Sequence, residues 1–439
     1  MPAAAQDTAP THGFAAYRRV LAAPHVLGLM LTSILARVPI GMIALVLVIY
    51  VHGATGSFAA AGIVAGAYTI GLGVTGPLLG RLIDRRGSRV VVLPAALVAS
   101  AALVAVVVLG HAGAGPAALA LAAAVSGSAT PPVGGVTRQR LPALVSAHDL
   151  PTVYALVSIG IEAVFIAGPL LAGILAATAG AGTGVLVAAA LGSVGGAWFA
   201  ALVNVAPSHA EERRSHGWAG ALGSPALRFL VFTGIPVGVA FGALDVALPA
   251  FGAAHGSSAL GGPFAASLAI GSAIGGVAYG ARPHAFGSPV RTFFLLGAAQ
   301  ALSCLPILLV ASVPEMFLAA VLAGVCVAPL ITVRNQLARD GMLAGTGTEA
   351  FTWLGLSITL GASLGSALAG PLVEAGGWRA GAGLSCAVPS FAICLAYAGR
   401  GLLAASSATS ASAPPSAAAA SATSSSPTAV EIPNSPPLP

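Results

Sequence analysis

Three charged residues interrupt long apolar runs of this sequence: Arg37, Glu162 and Asp245. A charge at mid-membrane costs about 2.5–3.5 kcal/mol even on a lenient insertion scale, so such residues are candidates for function. Arg37 and Glu162 lie at about the same predicted depth. They could form an ion pair that opens when Glu162 is protonated or substrate binds, or a static buried pair. Asp245 has no cation in its own run, which suits a proton carrier or a binder of cationic substrate; the alternative is a carboxylate that only faces water in an outer cavity.

A second group of charges follows the second apolar run, where residues 80–89 read GRLIDRRGSR. One acid, Asp84, among several arginines can form charge-assisted hydrogen bonds in one arrangement and release them in another. A plain loop of topology charges would explain the arginines. It would explain neither Asp84 nor the glycines Gly80 and Gly87.

The composition requires a membrane to position these residues. Of 439 residues 57% are hydrophobic and 7% are charged, whereas soluble domains carry about 25% charged residues. Only helices satisfy the backbone of such runs in lipid, so we predict an all-α polytopic protein with twelve transmembrane helices. The predicted spans are 25–51, 58–80, 90–110, 117–137, 153–175, 184–205, 228–250, 260–281, 291–312, 315–337, 349–374 and 379–402.

The positive charges indicate the orientation of these spans. All 18 basic residues are arginines. With the N-terminus inside, sixteen of them, Arg334 included, fall in cytoplasmic segments; Arg379 falls outside and Arg37 falls mid-span. This bias predicts a multi-pass protein of the cytoplasmic membrane with both termini in the cytoplasm. Because the arginines are not gathered on one soluble face, we expect no nucleic-acid partner.

The two halves of the chain resemble each other at an offset of about 200 residues. Pro39-Ile40-Gly41 aligns with Pro236-Val237-Gly238, and Ile70-Gly71 aligns with Ile270-Gly271. A duplicated six-helix unit is the layout of transporters whose halves rock about a site near the bilayer midplane. The predicted segments are an N-terminal segment (1–24), two six-helix bundles (25–205 and 228–402), a linker between them (206–227) and a disordered Ala/Ser/Pro-rich cytoplasmic tail (403–439).

The loop after span two resembles the signature of the major facilitator superfamily, G-x-L-x-D-R-x-G-R-R/K, at Gly80, Asp84, Arg85, Gly87 and Arg89. Ser88 departs from it, because arginine is usual there. The resemblance implies that the loop is a cytoplasmic gate. Span five carries Gly168-Pro169-Leu170-Leu171-Ala172-Gly173, similar to the end of a motif of drug/proton antiporters, and we expect Gly168, Pro169 and Gly173 to pack helices. The resemblance covers nearly all of residues 18–402.

The resemblance and the carboxylates together indicate a secondary active transporter that works by alternating access. We expect proton-coupled efflux of a small, partly apolar molecule, with Glu162 and Asp245 as the carboxylates. Uptake by proton symport is one alternative, and a non-transporting receptor or scaffold that acts through the tail is another. The absence of lysine excludes a Walker ATPase, and the cysteines form no CxxC pair. We therefore expect no enzyme, cofactor or metal site, and a monomer in the lipid bilayer.

Overall fold

The computed structural model describes residues 14–146, 149–203, 220–281, 287–341 and 347–398. This part of the chain is helical and contains no β-strand. In the first half, a short helix, α1, precedes seven others. Their bounds are α1 Phe14–Ala22, α2 Val26–Thr55, α3 Phe58–Arg86, α4 Ser88–His111, α5 Pro116–Ala129, α6 Val133–Arg140, α7 Leu150–Thr178 and α8 Ala181–Leu202.

The second half repeats this up-and-down arrangement. Its helices are α9 Pro225–Ala254, α10 Gly261–Ala281, α11 Pro289–Ser303, α12 Leu305–Leu309, α13 Val313–Gly324, α14 Val327–Gly341 and α15 Gly347–Ala398. Several helices begin where local chemistry favours a start. The side chains of Ser57, Ser224 and Ser288 accept hydrogen bonds from backbone N–H groups in the first turns of α3, α9 and α11, which satisfies donors that have no partner within the helix.

Eleven helical segments of the described chain are long and apolar enough to cross a membrane. The last of them covers 42 residues, Ala350–Phe391, or about 63 Å at 1.5 Å per residue, which is twice the hydrocarbon thickness. α15 is broken at Gly377, whose φ of 71° and ψ of −179° are not helical. It therefore provides two crossings, and the predicted twelve-helix architecture is confirmed.

Three predicted spans are discontinuous in the structure. The fourth consists of α5 and α6, the ninth of α11 and α12, and the tenth of α13 and α14. The break in the fourth span falls at Pro131 and Pro132, because proline lacks the N–H that continues a helix. The fourth and tenth spans are equivalent in the two halves, so their breaks are a shared feature of the repeat.

Glycines make similar contacts between helices in both halves. A Cβ on Gly127 would stand 2.9 Å from the carbonyl carbon of Tyr68, and one on Gly324 would stand 2.9 Å from that of Leu268. The second span thus packs on the fourth as the eighth packs on the tenth. Small residues permit this close approach of helix backbones in a membrane.

The first span packs on the fifth in the same way as the seventh packs on the eleventh. A Cβ on Gly168 would stand 2.9 Å from Gly41 Cα, and one on Gly361 would stand 3.0 Å from Gly238 Cα. We call the two units the first bundle (α2–α8) and the second bundle (α9–α15). Residues 206–219 of the predicted linker and the whole predicted tail, 403–439, lie outside the described residues.

The helix ends define two faces of the molecule. The ends at Arg86, Arg140 and Gly341 and the start of α11 at Pro289 share one face, which we call the arginine-rich face because most of the arginines lie there. The ends at Thr55, His111, Thr178 and Ala254 share the opposite, arginine-poor face.

Candidate functional site

Arg37 lies in α2 about 16 Å from the arginine-rich end of the helix and is half-buried. Its guanidinium faces α6, where Gly134 leaves room for it. A Cβ on Gly134 would stand 3.4 Å from Arg37 Nε. The side chain of Arg37 is therefore directed into the first bundle, toward the broken fourth span.

Glu162 does not form the suggested ion pair with Arg37. The salt bridge found among the described residues joins Arg19 and Asp149, with 2.9 Å between Arg19 Nη2 and Asp149 Oδ1. On α7, Gly160 and Val164 face α2, and Glu162, between them, points about 160° away at 100° per residue. Depth along the chain suggested the pair, but the rotation of α7 prevents it.

Glu162 shares a face of α7 with Gly173, because eleven residues are close to three helical turns. Gly173 packs against the second bundle: a Cβ there would stand 3.0 Å from Gly262 Cα. Pro169 contributes to the same junction, since its carbonyl oxygen lies next to Gly262. The half-buried side chain of Glu162 is thus directed toward the second bundle.

Asp245 lies in α9, about 30 Å from the arginine-rich end of that helix. Its side chain is half-buried, between buried neighbours along α9. On the same face, Gly238 and Gly242 contact α15, and α9 also contacts α2 and α3 of the first bundle. Asp245 forms no hydrogen bond or ion pair with the described residues. Its carboxylate is therefore an uncompensated charge, and it lies close to where the two bundles contact each other.

The loop with the signature motif is a tight turn between α3 and α4. Gly87 has φ 88° and ψ 153°, a conformation open essentially to glycine alone. Arg85 and Arg89 are exposed and form no ion pair within the described chain. No atom of the described residues lies within 4 Å of where a Cβ on Gly80 would stand. The side chain of Asp84 lies outside the described part, although its backbone continues α3.

Ser88, where the signature usually has arginine, is fully buried at 0% exposure. Its hydroxyl donates a hydrogen bond of 2.6 Å to the carbonyl oxygen of Val203. This bond joins the start of α4 to the end of α8. A long charged side chain would not fit there, so the departure from the motif has a packing reason.

We expect Gly87→Ala to destabilise the protein by about 1–3 kcal/mol, because alanine is strained at a positive φ. Thermal unfolding of the purified protein measures this. Gly80→Ala is the matched control in the same motif, since it adds a methyl group in open space on a helix. Equal melting temperatures for the two variants would contradict the prediction.

The two bundles are joined at the arginine-poor face by Glu374, a residue that no sequence motif indicated. Glu374 Oε1 accepts hydrogen bonds from Ser57 Oγ (2.5 Å) and from the backbone N–H of Ala59 (3.0 Å). A carboxylate of the second bundle thus caps the N-terminus of α3 in the first bundle, where negative charge is favoured. We call this contact the Glu374 latch.

Below the latch, one face of α3 follows α15 and then separates from it. Gly62, Gly66 and Gly73 share this face and lie against α15; Ser363 Oγ also donates a 2.7 Å hydrogen bond to the Gly66 carbonyl oxygen. Gly80 is seven residues after Gly73 and so on the same face. Among the described residues, no atom lies within 4 Å of where a Cβ would stand on Gly80 or on Gly355 of α15. The helices are therefore closed at the arginine-poor face and splayed at the arginine-rich face.

Arg334 was predicted to be a cytoplasmic topology charge, and this prediction is wrong. The tenth span continues to Gly341, which places Arg334 inside the second bundle with 3% of its surface exposed. Its Nε and Nη2 donate to the carbonyl oxygen of Leu230 (3.2 and 3.1 Å), and Nη2 also donates to Ser357 Oγ (2.7 Å). Arg334 thereby joins α9, α14 and α15.

Gly234 on α9 makes the space that the guanidinium of Arg334 occupies. A Cβ there would collide with Arg334 Nη2 and Ser357 Oγ. We expect Gly234→Ala to lower the free energy of unfolding by about 1–3 kcal/mol through overpacking, measured by thermal unfolding. Gly355→Ala is the control, because no described atom lies within 4 Å of its added methyl group. A variant at Gly234 that is as stable as this control would refute the packing.

The chain matches a family model in sequence and several solved structures in fold. The family model for the Major Facilitator Superfamily matches residues 29–284. No curated protein sequence matches the chain significantly. A mutant of the nucleoside transporter NupG superposes with a TM-score of 0.69 at 15% identity, over 86% of this chain and 99% of that one.

Two other solved structures share the fold. A bacterial homologue of the iron transporter ferroportin in its inward-facing state superposes with a TM-score of 0.68 at 15% identity, over 89% of this chain and 100% of that one. An auto-inhibited peptide transporter of the POT family does so with a TM-score of 0.66 at 13% identity, over 88% and 96%. At these identities the likeness extends to the fold alone.

Proposed function

The chain is a membrane transporter that belongs to the major facilitator superfamily, and we propose that it exports a small, partly apolar molecule in exchange for protons. The observation that carries this proposal is Asp245, a half-buried carboxylate without a compensating charge among the described residues. A charge in such surroundings is costly. Binding of a proton or of a cationic substrate relieves that cost. The carboxylate thereby couples the movement of protons to the movement of substrate.

The arrangement of the bundles supports alternating access. Alternating access needs two states, each open at one face. In the structure the bundles are in contact at the Glu374 latch, and α3 and α15 separate between Gly73 and the arginine-rich face, as one of these states requires. We propose that the arginine-rich face is cytoplasmic, as the positive-inside rule predicts. The structure then corresponds to an inward-facing state of a protein of the cytoplasmic membrane, with both termini inside.

The remaining site residues receive roles in the same cycle. We assign Glu162, directed toward the second bundle, as a second carboxylate that is desolvated when the bundles close over it. Arg37 supplies positive charge inside the first bundle. Asp84, Arg85 and Arg89 re-form charge-assisted bonds when the arginine-rich face closes. Gly168, Pro169 and Gly173 keep α7 close to its neighbours during this movement.

Proteoliposomes with an imposed pH gradient and an internal pH-sensitive dye test the proposal. We expect movement of protons only when both gradient and substrate are present, with a panel of small amphipathic molecules screened as substrates. Substrate flux that ignores the pH gradient would contradict proton coupling. Movement of protons and substrate in the same direction would favour the uptake alternative. Binding of panel compounds without any flux would favour a receptor.

A further inference from the structure

The second bundle encloses a cavity that the roles assigned above do not use. Its walls come from α9, α11, α13 and α14, with contributions from α10 and α15, and they are mostly apolar. The space between the atoms, counted with its opening, is about 740 Å³. Sites for small molecules have this character of apolar walls with few polar groups. Here the polar groups include Arg334 and Gln300.

Arg334 brings an uncompensated positive charge to this cavity. The partners of its Nε and Nη2 are neutral oxygens, those of Leu230, Leu354 and Ser357. Nη1 has no hydrogen bond to a described residue, and no carboxylate of the described chain lies within salt-bridge distance. A buried guanidinium is stable when an anion pairs with it, and its fork matches a carboxylate.

Gln300 brings an acceptor that lacks a donor. Its Nε2 donates a 2.8 Å hydrogen bond to the carbonyl oxygen of Ala323, which defines the orientation of the amide. Its Oε1 is buried and accepts no hydrogen bond from a described residue, and only 9% of Gln300 is exposed. A buried acceptor without a donor is destabilising. A hydrogen-bond donor on a bound ligand would satisfy this oxygen.

We propose that this cavity binds a small monocarboxylate with an apolar body and a hydroxyl or amino group. The carboxylate pairs with Arg334, the hydroxyl or amino group donates to Gln300 Oε1, and the apolar body packs on the cavity walls. The proposal rests on the proposed function, because it names the substrate class of that transporter. The cavity wall includes Phe241, one helical turn before Asp245 along α9, so the cavity extends toward the level of the carboxylate assigned to proton coupling.

Binding to the purified, full-length protein in detergent tests this without any transport. Three probes separate the features: mandelate has the carboxylate and the hydroxyl, phenylacetate lacks the hydroxyl, and mandelamide lacks the charge. Calorimetric titration should rank them in that order. We expect about tenfold weaker binding for each missing interaction, the loss that 1.4 kcal/mol corresponds to.

Variants assign the contacts to residues. Gln300→Leu should abolish the difference in affinity between mandelate and phenylacetate. Arg334→Lys keeps a positive charge and should weaken the binding of both acids. Arg339→Gln is the control, because it removes an exposed arginine from the same helix and should bind all probes as the wild type does. Gln300→Leu retains the bonds of Arg334, so it reports on the site even where changes at Arg334 disturb folding.

Several results would overturn the proposal: no binding of either acid to the wild type, equal binding of mandelamide and mandelate, or unchanged selectivity in Gln300→Leu. Each would mean that Arg334 only joins helices and that the cavity holds water. Because binding is measured without a gradient, these outcomes are separate from a failure of proton-coupled flux, which would leave the carboxylate site intact and contradict the proposed function instead.

Discussion

Asp245→Asn abolishes proton-coupled transport. The substitution keeps the size of the side chain and removes the group that can exchange a proton, so flux driven by a pH gradient should fall by about tenfold or more, toward that of empty liposomes. Because asparagine is neutral, the cost of a charge at this position disappears. The variant should therefore fold at least as well as the wild type. Flux in proteoliposomes and thermal unfolding of the same preparation measure the two effects.

Two further variants make this result specific. Asp340→Asn removes an exposed carboxylate at the end of α14 and should leave gradient-driven flux unchanged. Glu162→Gln should reduce flux if the second carboxylate takes part in coupling. Full gradient-driven flux in both Asp245→Asn and Glu162→Gln would show that the carboxylates are wrongly assigned.

Glu374→Gln shifts the protein toward a state that is open at the arginine-poor face. The neutral amide still accepts hydrogen bonds from Ser57 Oγ and the Ala59 N–H but loses their charge-assisted character, a difference of about 1 kcal/mol at this exposed contact. That corresponds to a shift of roughly fivefold between the two states. We expect the distance between spin labels on the two bundles at this face to gain a longer population.

Labels at Ala112 and Ala254 suit this measurement, in a variant whose four cysteines are replaced. Both are exposed and lie at the arginine-poor face, one in each bundle. Glu315→Gln is the control, because Glu315 Oε2 accepts a 2.8 Å hydrogen bond from the Ala311 N–H of its own bundle. An identical distance distribution in Glu374→Gln and wild type would show that the latch does not hold the bundles together.

Much of the architecture follows from the sequence because its causes are local. An apolar run long enough to cross the hydrocarbon must be helical in lipid, which predicts the crossings without knowledge of their partners. The repeat was visible for a similar reason. Glycines at aligned positions, such as Gly71 and Gly271, pack closely against the fourth and the tenth span in their respective halves.

The site was less accessible from sequence because it depends on helix rotation. Depth can be counted along the chain, and Arg37 and Glu162 do lie at similar depths. The direction of Glu162 is set by the contacts of Gly160, Val164 and Gly168 with α2, which orient the whole of α7. Because Glu162 is two residues from Gly160, its side chain projects from nearly the opposite face of α7. The carboxylate therefore points away from Arg37.

The sequence alone determined that this is a polytopic membrane protein of two related halves with a family signature, since hydropathy and motif spacing are local properties of the chain. Tertiary structure alone decided that Arg334 is a buried charge, that the side-chain oxygen of Gln300 has no donor among the described residues, and that Glu374 caps a helix 317 residues away. Such partners are chosen by the packing of helices that are remote in sequence, and no local pattern records that packing.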